Sequence, residues 1–483
     1  MNGSVATGLR WTLAGDLLAR GGQFLFTIAL ARILTPEDFG LLAVAMVLVA
    51  FLGLFQDAGF KPALVQRPEL DDALTGAVFW GSMALGVMWC VVVLMVAPLW
   101  ASLYGDPRLT SLLRVLAGLF VLRSLAVVPE ALLVRSMAFR RLFSVQIFPS
   151  LASGVVSICL AWTGHGVWSL VAGVVTADVL RIAGLWAHVG WRPGAPKRGA
   201  NWAHLLRFGG WVTLEGLLGW VISYSDQALA GRFLGARQLG FYRMGFSLSM
   251  MPVSALSQAL GRVLFPAFSR RQHNPEALRI SYQQCVRVLS VAVAPVGVGL
   301  AVWADPLVPL LLGDRWLETI PVLRSLALVG PLSAMVGLAP PLYRAIGRAD
   351  IMPRFFMVRA AVSVPAYAYG AMQGVVFLAL THLVLVLCFV PINLYIASRV
   401  LGSSYRQILV AIGVAFGVAA ASALVVAGIG SAWIPAGPAW RAVPELILFG
   451  LCYLALLGVL DRPRLLEVAD IVRRIGGWAS RPG

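Results

Sequence analysis

Two stretches stand 200 residues apart in the 483-residue chain: Ala31-Arg32-Ile33-Leu34-Thr35-Pro36-Glu37-Asp38-Phe39-Gly40-Leu41 and Gly231-Arg232-Phe233-Leu234-Gly235-Ala236-Arg237-Gln238-Leu239-Gly240-Phe241. Arg32 matches Arg232, Leu34 matches Leu234 and Gly40 matches Gly240. Each stretch lies between two apolar runs, in the turn after the first and after the seventh. The glycine is expected to open the next helix where backbone passes close to a neighbour. Two six-span halves of the same orientation, with two further spans, form the layout of a transporter built from parallel repeats.

Outward from this repeat the chain is almost continuously apolar, with 59% hydrophobic and 12% charged residues. A soluble domain carries about 25% charged residues, so an ordinary cytosolic enzyme is excluded. Runs of about 20 apolar residues, long enough to cross a bilayer, follow one another from Leu9 to Leu460. Breaking them at Gly, Pro and charge clusters gives about fourteen segments, centred near residues 22, 49, 88, 123, 154, 178, 218, 252, 298, 333, 363, 385, 418 and 452. Close spacing and the lack of an alternating barrel pattern make them helices. The expected fold is an all-α polytopic membrane protein of about 14 transmembrane helices. Its parts are an N-terminal six-helix bundle (1–190), a cytoplasmic inter-bundle linker (191–207), a C-terminal six-helix bundle (208–400), an extra helix pair (407–460) and a cytoplasmic basic tail (461–483).

The net charge of +17 would suggest nucleic acid in a soluble chain; here it reports topology. With loops assigned alternately to two sides, one side collects most of the arginines and the other only Arg108, Arg232, Arg237, Arg315 and Arg441. Cytoplasmic loops retain positive charge, so both termini are expected inside, in a multi-pass inner-membrane protein. The first run carries Asp16 and Arg20 and no small-residue cleavage site, which reads as a retained span. No connection is long enough for a soluble catalytic domain, so function is expected within the bundle. Cys90, Cys159, Cys285, Cys388 and Cys452 are scattered singly, without metal or disulfide spacing. Arg464 to Trp478 reads either as an amphipathic surface helix or as a basic tail.

At this point the chain resembles a known family. The turn Ile33-Leu-Thr-Pro-Glu-Asp-Phe-Gly-Leu-Leu-Ala-Val-Ala45, its echo from Phe233 to Gly245 and the 6+6+2 layout are similar to the polysaccharide transporter (Wzx-type flippase) branch of the multidrug/oligosaccharidyl-lipid/polysaccharide exporter superfamily. The resemblance implies two bundles around a central cavity, alternating access, and a cationic cavity that faces a pyrophosphate. It also implies a substrate, polyprenyl-pyrophosphate-linked oligosaccharide, bound for exopolysaccharide, capsule or O-antigen. No cofactor is expected beyond a proton or sodium gradient, no nucleic acid, and a monomer working beside the polymerase and glycosyltransferases of its pathway.

Ionised side chains at mid-bilayer cost about 2.5–3.5 kcal/mol on insertion scales, so those that persist face protein or water. Asp16, Arg20, Gln23 and Thr27 form a polar stripe in the first span, and Glu215, Ser223 and Asp226 form one in the seventh. Arg123 and Glu130 share a face of the fourth span; Arg243 and Gln258 belong to a stripe in the eighth; Arg359 stands in the eleventh. Arginine's planar fork suits phosphate oxygens, which makes Arg20, Arg123, Arg243, Arg359, Gln23 and Gln258 the substrate-binding candidates. Asp16, Glu215 and Asp226 are the ion-coupling candidates, because burial favours carboxylate protonation. The bland alternatives are self-neutralised pairs within a helix, Asp16 with Arg20 and Asp178 with Arg181, and snorkelling of Arg32, Arg135, Arg232 and Arg262. Only Lys61 and Lys197 of the 38 basic residues are lysine, so arginine at any one site also fits codon bias. Pro149, Pro252, Pro295, Pro331, Pro340, Pro341 and Pro365, with the glycine pairs Gly21-Gly22 and Gly209-Gly210, are the expected hinges.

The leading functional reading is a flippase for lipid-linked oligosaccharides, not an enzyme. A lipid II flippase and a drug exporter of the same superfamily are alternatives, and a membrane glycosyltransferase or ligase is a further one that the short loops disfavour.

Overall fold

A backbone amide in hydrocarbon without a partner costs several kcal/mol, so apolar runs of this length cross a membrane as helices. The computed structural model describes residues 21–56, 60–61, 64, 72–136, 138–194, 202–270, 274–348, 350–433 and 438–461, and all regular structure among them is helical. Nine of these helices are long and apolar enough to span a bilayer, or ten when one bent pair counts as a single span. Each of the fourteen expected centres falls inside a helix; nine or ten spans pass by length and composition among the described residues. The described part of the first helix is Gly21–Ile33 (α1), and the proline-rich tenth segment, though built of several short helices, passes as the single span Thr319–Ala345.

The chain divides into two compact units, 1–240 and 241–483. In the first, α2 (Pro36–Gln56) follows α1; α3 (Asp72–Tyr104) forms a hairpin with α4 (Arg108–Ser124); α5 (Val127–Arg135) continues α4; and α6 (Phe139–Trp162) forms a hairpin with α7 (Val167–His188). Helix α4 is the central element, burying Leu109, Leu112, Leu113, Leu116, Leu119 and Phe120 against its neighbours. Small residues allow the close crossings: a Cβ on Gly86 would lie 2.7 Å from the Phe120 carbonyl, and one on Gly173 would lie 2.0 Å from Ser157 Oγ. In the α3–α4 turn Arg108 binds both Asp106 and Glu37. Hydrogen bonding from Arg108 holds the Asp106 carboxyl below its usual range; this stabilisation is present above that range and is lost as pH falls.

The two matching stretches are the turns that start α2 and the second arm of α8. Helix α8 (Trp202–Arg270) breaks at Gly235, where φ is 80° and ψ 174°, a conformation open to glycine at little cost. Its counterpart is Thr35, which caps α2: the Thr35 N–H and hydroxyl donate to Asp38 Oδ2 at 2.9 and 2.7 Å. Pro36 follows at the first helical position, where a missing N–H costs nothing. The turns pack on each other reciprocally. A Cβ on Gly40 would lie 1.7 Å from the carbonyl oxygen of Ala236, and one on Gly240 would lie 1.8 Å from that of Pro36. These are repeat-related partners, with Pro36 matching Ala236 and Gly40 matching Gly240 at the offset of 200. The glycine expectation is thereby met on both sides.

From that crossing the first arm of α8 runs along α2. Gly231 receives Val44 and Tyr104 side chains, Trp220 Nε1–H donates to the Val47 carbonyl at 3.3 Å, and Leu54 lies against Gly216. This packing groups the seventh segment with the first compact unit, which ends at Gly240.

The second unit holds the second arm of α8, α9 (Pro275–Val302), α10 (Ala304–Leu312), α11 (Thr319–Leu326), α12 (Val329–Val336), α13 (Ala339–Ala345), α14 (Ile351–Gln373), α15 (Val375–Val400), α16 (Tyr405–Trp433) and α17 (Pro438–Leu460). Pro331, Pro340 and Pro341 sit in the first turns of α12 and α13. They end the preceding helix instead of kinking a continuous one. Pro149, Pro252, Pro295 and Pro365 do lie inside helices. The α14–α15 hairpin turns on one residue, Gly374, at φ 121°. The extra pair, α16 and α17, is packed on α9 and α10 through a shared apolar core that includes Ala294, Trp303, Val418, Phe449 and Leu457. Tyr453 Oη–H donates to the Val291 carbonyl at 2.9 Å and Trp303 Nε1–H to Glu445 at 2.5 Å.

A methyl group at the glycine crossing must push two backbones apart. Gly40→Ala and Gly240→Ala are each expected to lose about 1–3 kcal/mol or more, and the double variant to lose less than the sum, because one separation relieves both clashes. Gly118→Ala, at a helical site with nothing within 4 Å, is expected to gain about 0.5–1 kcal/mol. Chemical unfolding of the purified chain in detergent checks all four.

Candidate functional site

The densest set of embedded charges is built around the break between α4 and α5. Pro129 has no N–H for the Leu125 carbonyl four residues back. That carbonyl is taken instead by Trp186 Nε1–H of α7 at 3.1 Å. The two helices are bent by 43°, and α7 is held against the bend by the same indole. The bend separates the directions of Arg123, at the end of α4, and Glu130, in α5.

Both find partners on α7, where Asp178 and Arg181 lie one turn apart. Arg123 Nε–H donates to Asp178 Oδ2 at 2.8 Å, and Arg181 donates to Glu130 Oε2 at 2.5 Å. Lys61 Nζ reaches the other oxygen of Glu130, also at 2.5 Å. The expected pairing of Asp178 with Arg181 inside one helix is therefore replaced by two pairs crossing between helices. Arg123 likewise pairs with Asp178 and not with Glu130 on its own span, because the Pro129 break removes their common face. The side chains are 12% (Asp178) to 38% (Arg181) exposed, neither sealed nor fully solvated. Three cations face two carboxylates, so the cluster keeps one excess positive charge. Among the described residues Arg123 uses only Nε in an ion pair, which leaves its two terminal amino groups for an anion.

The remaining candidates are dispersed. Gln23 is exposed on α1, where its carbonyl accepts from the Thr27 hydroxyl at 2.8 Å. Asp226, in the first arm of α8, is 1% exposed and accepts from the Gln227 N–H at 2.8 Å. Arg243, in the second arm of α8, and Arg359, in α14, belong to the other unit and are half-buried. Asp16 and Arg20 lie outside the described residues; Glu215 and Gln258 lie in helix α8, with side chains outside the description. The linker from 195 to 201 and the tail from 462 are outside it as well.

Sequence reasoning assigned Lys61 to a loop, yet it joins the cluster; its being one of two lysines among 38 basic residues was the available signal. His382 was also passed over. It is 5% exposed, in the middle of a segment of mean hydropathy 2.7, and the Tyr242 Oη lies 2.8 Å from its Nδ1. A titratable group inside so apolar a run was a readable sign.

With this geometry in place, the chain can be set against known proteins. It is 27% identical over 414 residues to "Lipopolysaccharide biosynthesis protein WzxC" of Escherichia coli (strain K12), covering 85% of this chain and 84% of that one. It is 29% identical over 371 residues to "Succinoglycan biosynthesis transport protein ExoT" of Rhizobium meliloti (strain 1021), covering 77% and 75%. A solved structure of lipid II flippase MurJ in an inward closed conformation superposes with a TM-score of 0.77 at 13% identity, over 94% of this chain and 99% of that one. This likeness fixes the fold as that of a membrane transporter. Residues 29–321 match the family described as polysaccharide biosynthesis protein, and with well over half of its length inside that match the chain belongs to this family.

Proposed function

We propose that the protein moves polyprenyl-pyrophosphate-linked oligosaccharide units across the inner membrane by alternating access, and that the Lys61–Arg123–Arg181 cluster faces the pyrophosphate. The observation that carries this reading is the excess cation held within apolar helices by Glu130 and Asp178. Two carboxylates fix three basic side chains in place, so an anion meets a preorganised surface and loses little entropy in ordering it. Arginine keeps its charge at every physiological pH and offers phosphate a planar pair of donors. Transport changes no covalent bond, and no catalytic group is assigned. The relatives' names, lipopolysaccharide and succinoglycan biosynthesis, support a surface-polymer pathway, with glycosyltransferases supplying the substrate and a polymerase receiving it. The protein acts as a monomer with both termini cytoplasmic, and an ion gradient drives it through the carboxylates Asp16, Glu215 and Asp226.

Expression in a strain lacking an exopolysaccharide or O-antigen flippase is expected to restore surface polymer. Rescue of a strain lacking its lipid II flippase, without restored polymer, would move the assignment to that alternative. Arg123→Ala is expected to lower export about 10–100-fold, the worth of a charge-assisted hydrogen bond of about 1.5–3 kcal/mol. The swapped pair Arg123→Asp with Asp178→Arg separates binding from scaffolding: it restores the ion pair but not the anion site, so export stays low. Full export in the swap would make the pair structural only.

Asp226→Asn and Glu215→Gln test the drive. Each is expected to reduce export under an imposed ion gradient while the chain remains folded, as read by its elution in size-exclusion chromatography. Unchanged gradient-dependent export in both would remove these carboxylates from the coupling step.

A further inference from the structure

Where α6 begins and α7 ends, the hairpin carries a set of polar side chains that the charge cluster does not use. The apolar span of α6 starts at Arg141 and that of α7 closes at His188, so both residues stand where hydrocarbon gives way to headgroups. Arg141 Nη1–H donates to the His188 carbonyl at 3.2 Å, one of the carbonyls that a helix end leaves without a helical partner. Ser144 Oγ–H donates to the Arg141 carbonyl at 2.9 Å, and its oxygen lies 3.2 Å from His188 Nε2. Indoles mark the same level, as they do at membrane interfaces. Trp186 and Trp191 have ring centres 6.1 Å apart on either side of His188, and Trp80 Nε1–H donates to the Gly194 carbonyl at 2.9 Å. Between Glu130 and Glu215 the only carboxylate of the chain is Asp178, and Arg123 engages it.

From Arg141 one line of α6 runs, at spacings of three and four residues, through Ser144, Phe148, Leu151 and Val155, and every member is exposed. Phe148 is 65% exposed and Val155 54%. The line opens with a cation and continues as apolar surface, covering about 21 Å at 1.5 Å per residue. That order, charge first and hydrocarbon after it, is the order of a phospholipid seen from its headgroup. We infer that this line is a binding site for an anionic phospholipid, with Arg141 on the phosphate diester and Phe148, Leu151 and Val155 along an acyl chain. The occupant belongs to the bilayer and is distinct from the cargo, so the inference goes beyond the transport reading and does not depend on it.

The chemistry of the two partners matches. A phosphate diester carries one negative charge on two free oxygens, which the planar fork of a guanidinium meets with paired donors. The His188 carbonyl already orders the Arg141 side chain, so a headgroup loses little entropy in fixing it. Charge selects the class of lipid: a choline headgroup brings a cation toward Arg141 and toward Arg192, exposed just beyond α7, whereas an anionic headgroup brings none. A free phosphate ion would leave the apolar line unused. Binding also has a route to the charge cluster. Arg141 grips the last carbonyl of α7, and Arg181, which holds Glu130, lies about two turns earlier on that helix. A lipid on Arg141 therefore steadies the helix that presents the cations.

The test uses the full chain, purified in detergent and titrated in native mass spectrometry with dioleoyl-phosphatidylglycerol or dioleoyl-phosphatidylcholine. The first lipid is expected to bind about 5-fold or more tightly than the second, the worth of one basic residue near an anionic headgroup. Arg141→Gln and Arg141→Lys each keep a donor for the His188 carbonyl and differ in charge. The lysine variant is expected to retain the preference and the glutamine variant to bind both lipids alike. Equal affinity of the unaltered chain for the two lipids, or an unchanged preference in Arg141→Gln, overturns the inference. A photoreactive p-benzoyl-phenylalanine in place of Phe148 is expected to crosslink phosphatidylglycerol, and to lose the crosslink when combined with Arg141→Gln. No crosslink beside an intact Arg141 overturns the placement on α6. Full displacement of the phosphatidylglycerol by an equimolar polyprenyl phosphate would give the site to the cargo lipid and likewise overturn the inference. Should the unaltered chain restore no polymer in the complementation strain, the transport reading fails by itself, and these binding measurements, made without cargo, still decide the lipid site.

Discussion

Where Gly40 and Gly240 cross, each helix brings its backbone against a carbonyl in the first turn of the other, at a distance that no side chain fits. Contacts of this kind allow Cα–H···O bonding and close dispersion packing, the main sources of helix association where lipid removes the hydrophobic drive. The geometry is reciprocal because the sequence is repeated: the carbonyls of the contact, on Pro36 and Ala236, and the glycines packed against them are related by one offset. The rest of the first unit depends on that register. With the crossing fixed, the first arm of α8 can lie only along α2, and Trp220 then meets the Val47 carbonyl and the Phe51 ring. Tyr104 from α3 closes the set by donating to the Ala228 carbonyl at 3.2 Å.

A second constraint, the cost of charge in an apolar surrounding, shapes the α4–α7 cluster. Removing either carboxylate of the α4–α7 cluster would leave cations short of partners, and the fold meets this by bringing them from three segments at once. Glu130 serves Lys61 and Arg181 together through its two oxygens. The arrangement starts from Pro129, whose missing N–H breaks the span and so turns Glu130 away from Arg123. The broken hydrogen bond is not simply lost, since Trp186 supplies a donor to the freed carbonyl. One imino acid thus sets the helix path, the position of α7 and the pairing of four ionised groups.

Much of the fold was legible because hydrocarbon leaves few alternatives. Length and apolarity place the segments, and the Arg32/Arg232, Leu34/Leu234 and Gly40/Gly240 matches mark the turns that the structure joins. Breaks within a span were less legible: Pro331, Pro340 and Pro341 divide the tenth segment into short helices, and the fourth is bent at Leu125–Ala126, whereas hydropathy averages over such breaks. The packing of Gly216, Trp220 and Gly231 on α2 was not legible either, because apolarity places a segment in the membrane without naming its neighbours. At the candidate site, residue type was readable but pairing was not. Asp178 and Arg181 have the spacing of an internal pair, and only the placement of α4 and α5 decides that each bonds elsewhere.

The charge cluster of the first unit and the buried imidazole of the second meet the cost of polarity in apolar helices by different means. The cluster sets ionised groups against one another, so that each of Lys61, Arg123, Arg181, Glu130 and Asp178 has an opposite charge in contact. Its guanidinium groups stay charged under all physiological conditions, which keeps that arrangement in place. His382 is enclosed instead by the Tyr242 hydroxyl and by the Phe246 and Tyr367 rings, so a polar ring sits inside an apolar helix with a hydrogen-bond partner and an aromatic surround.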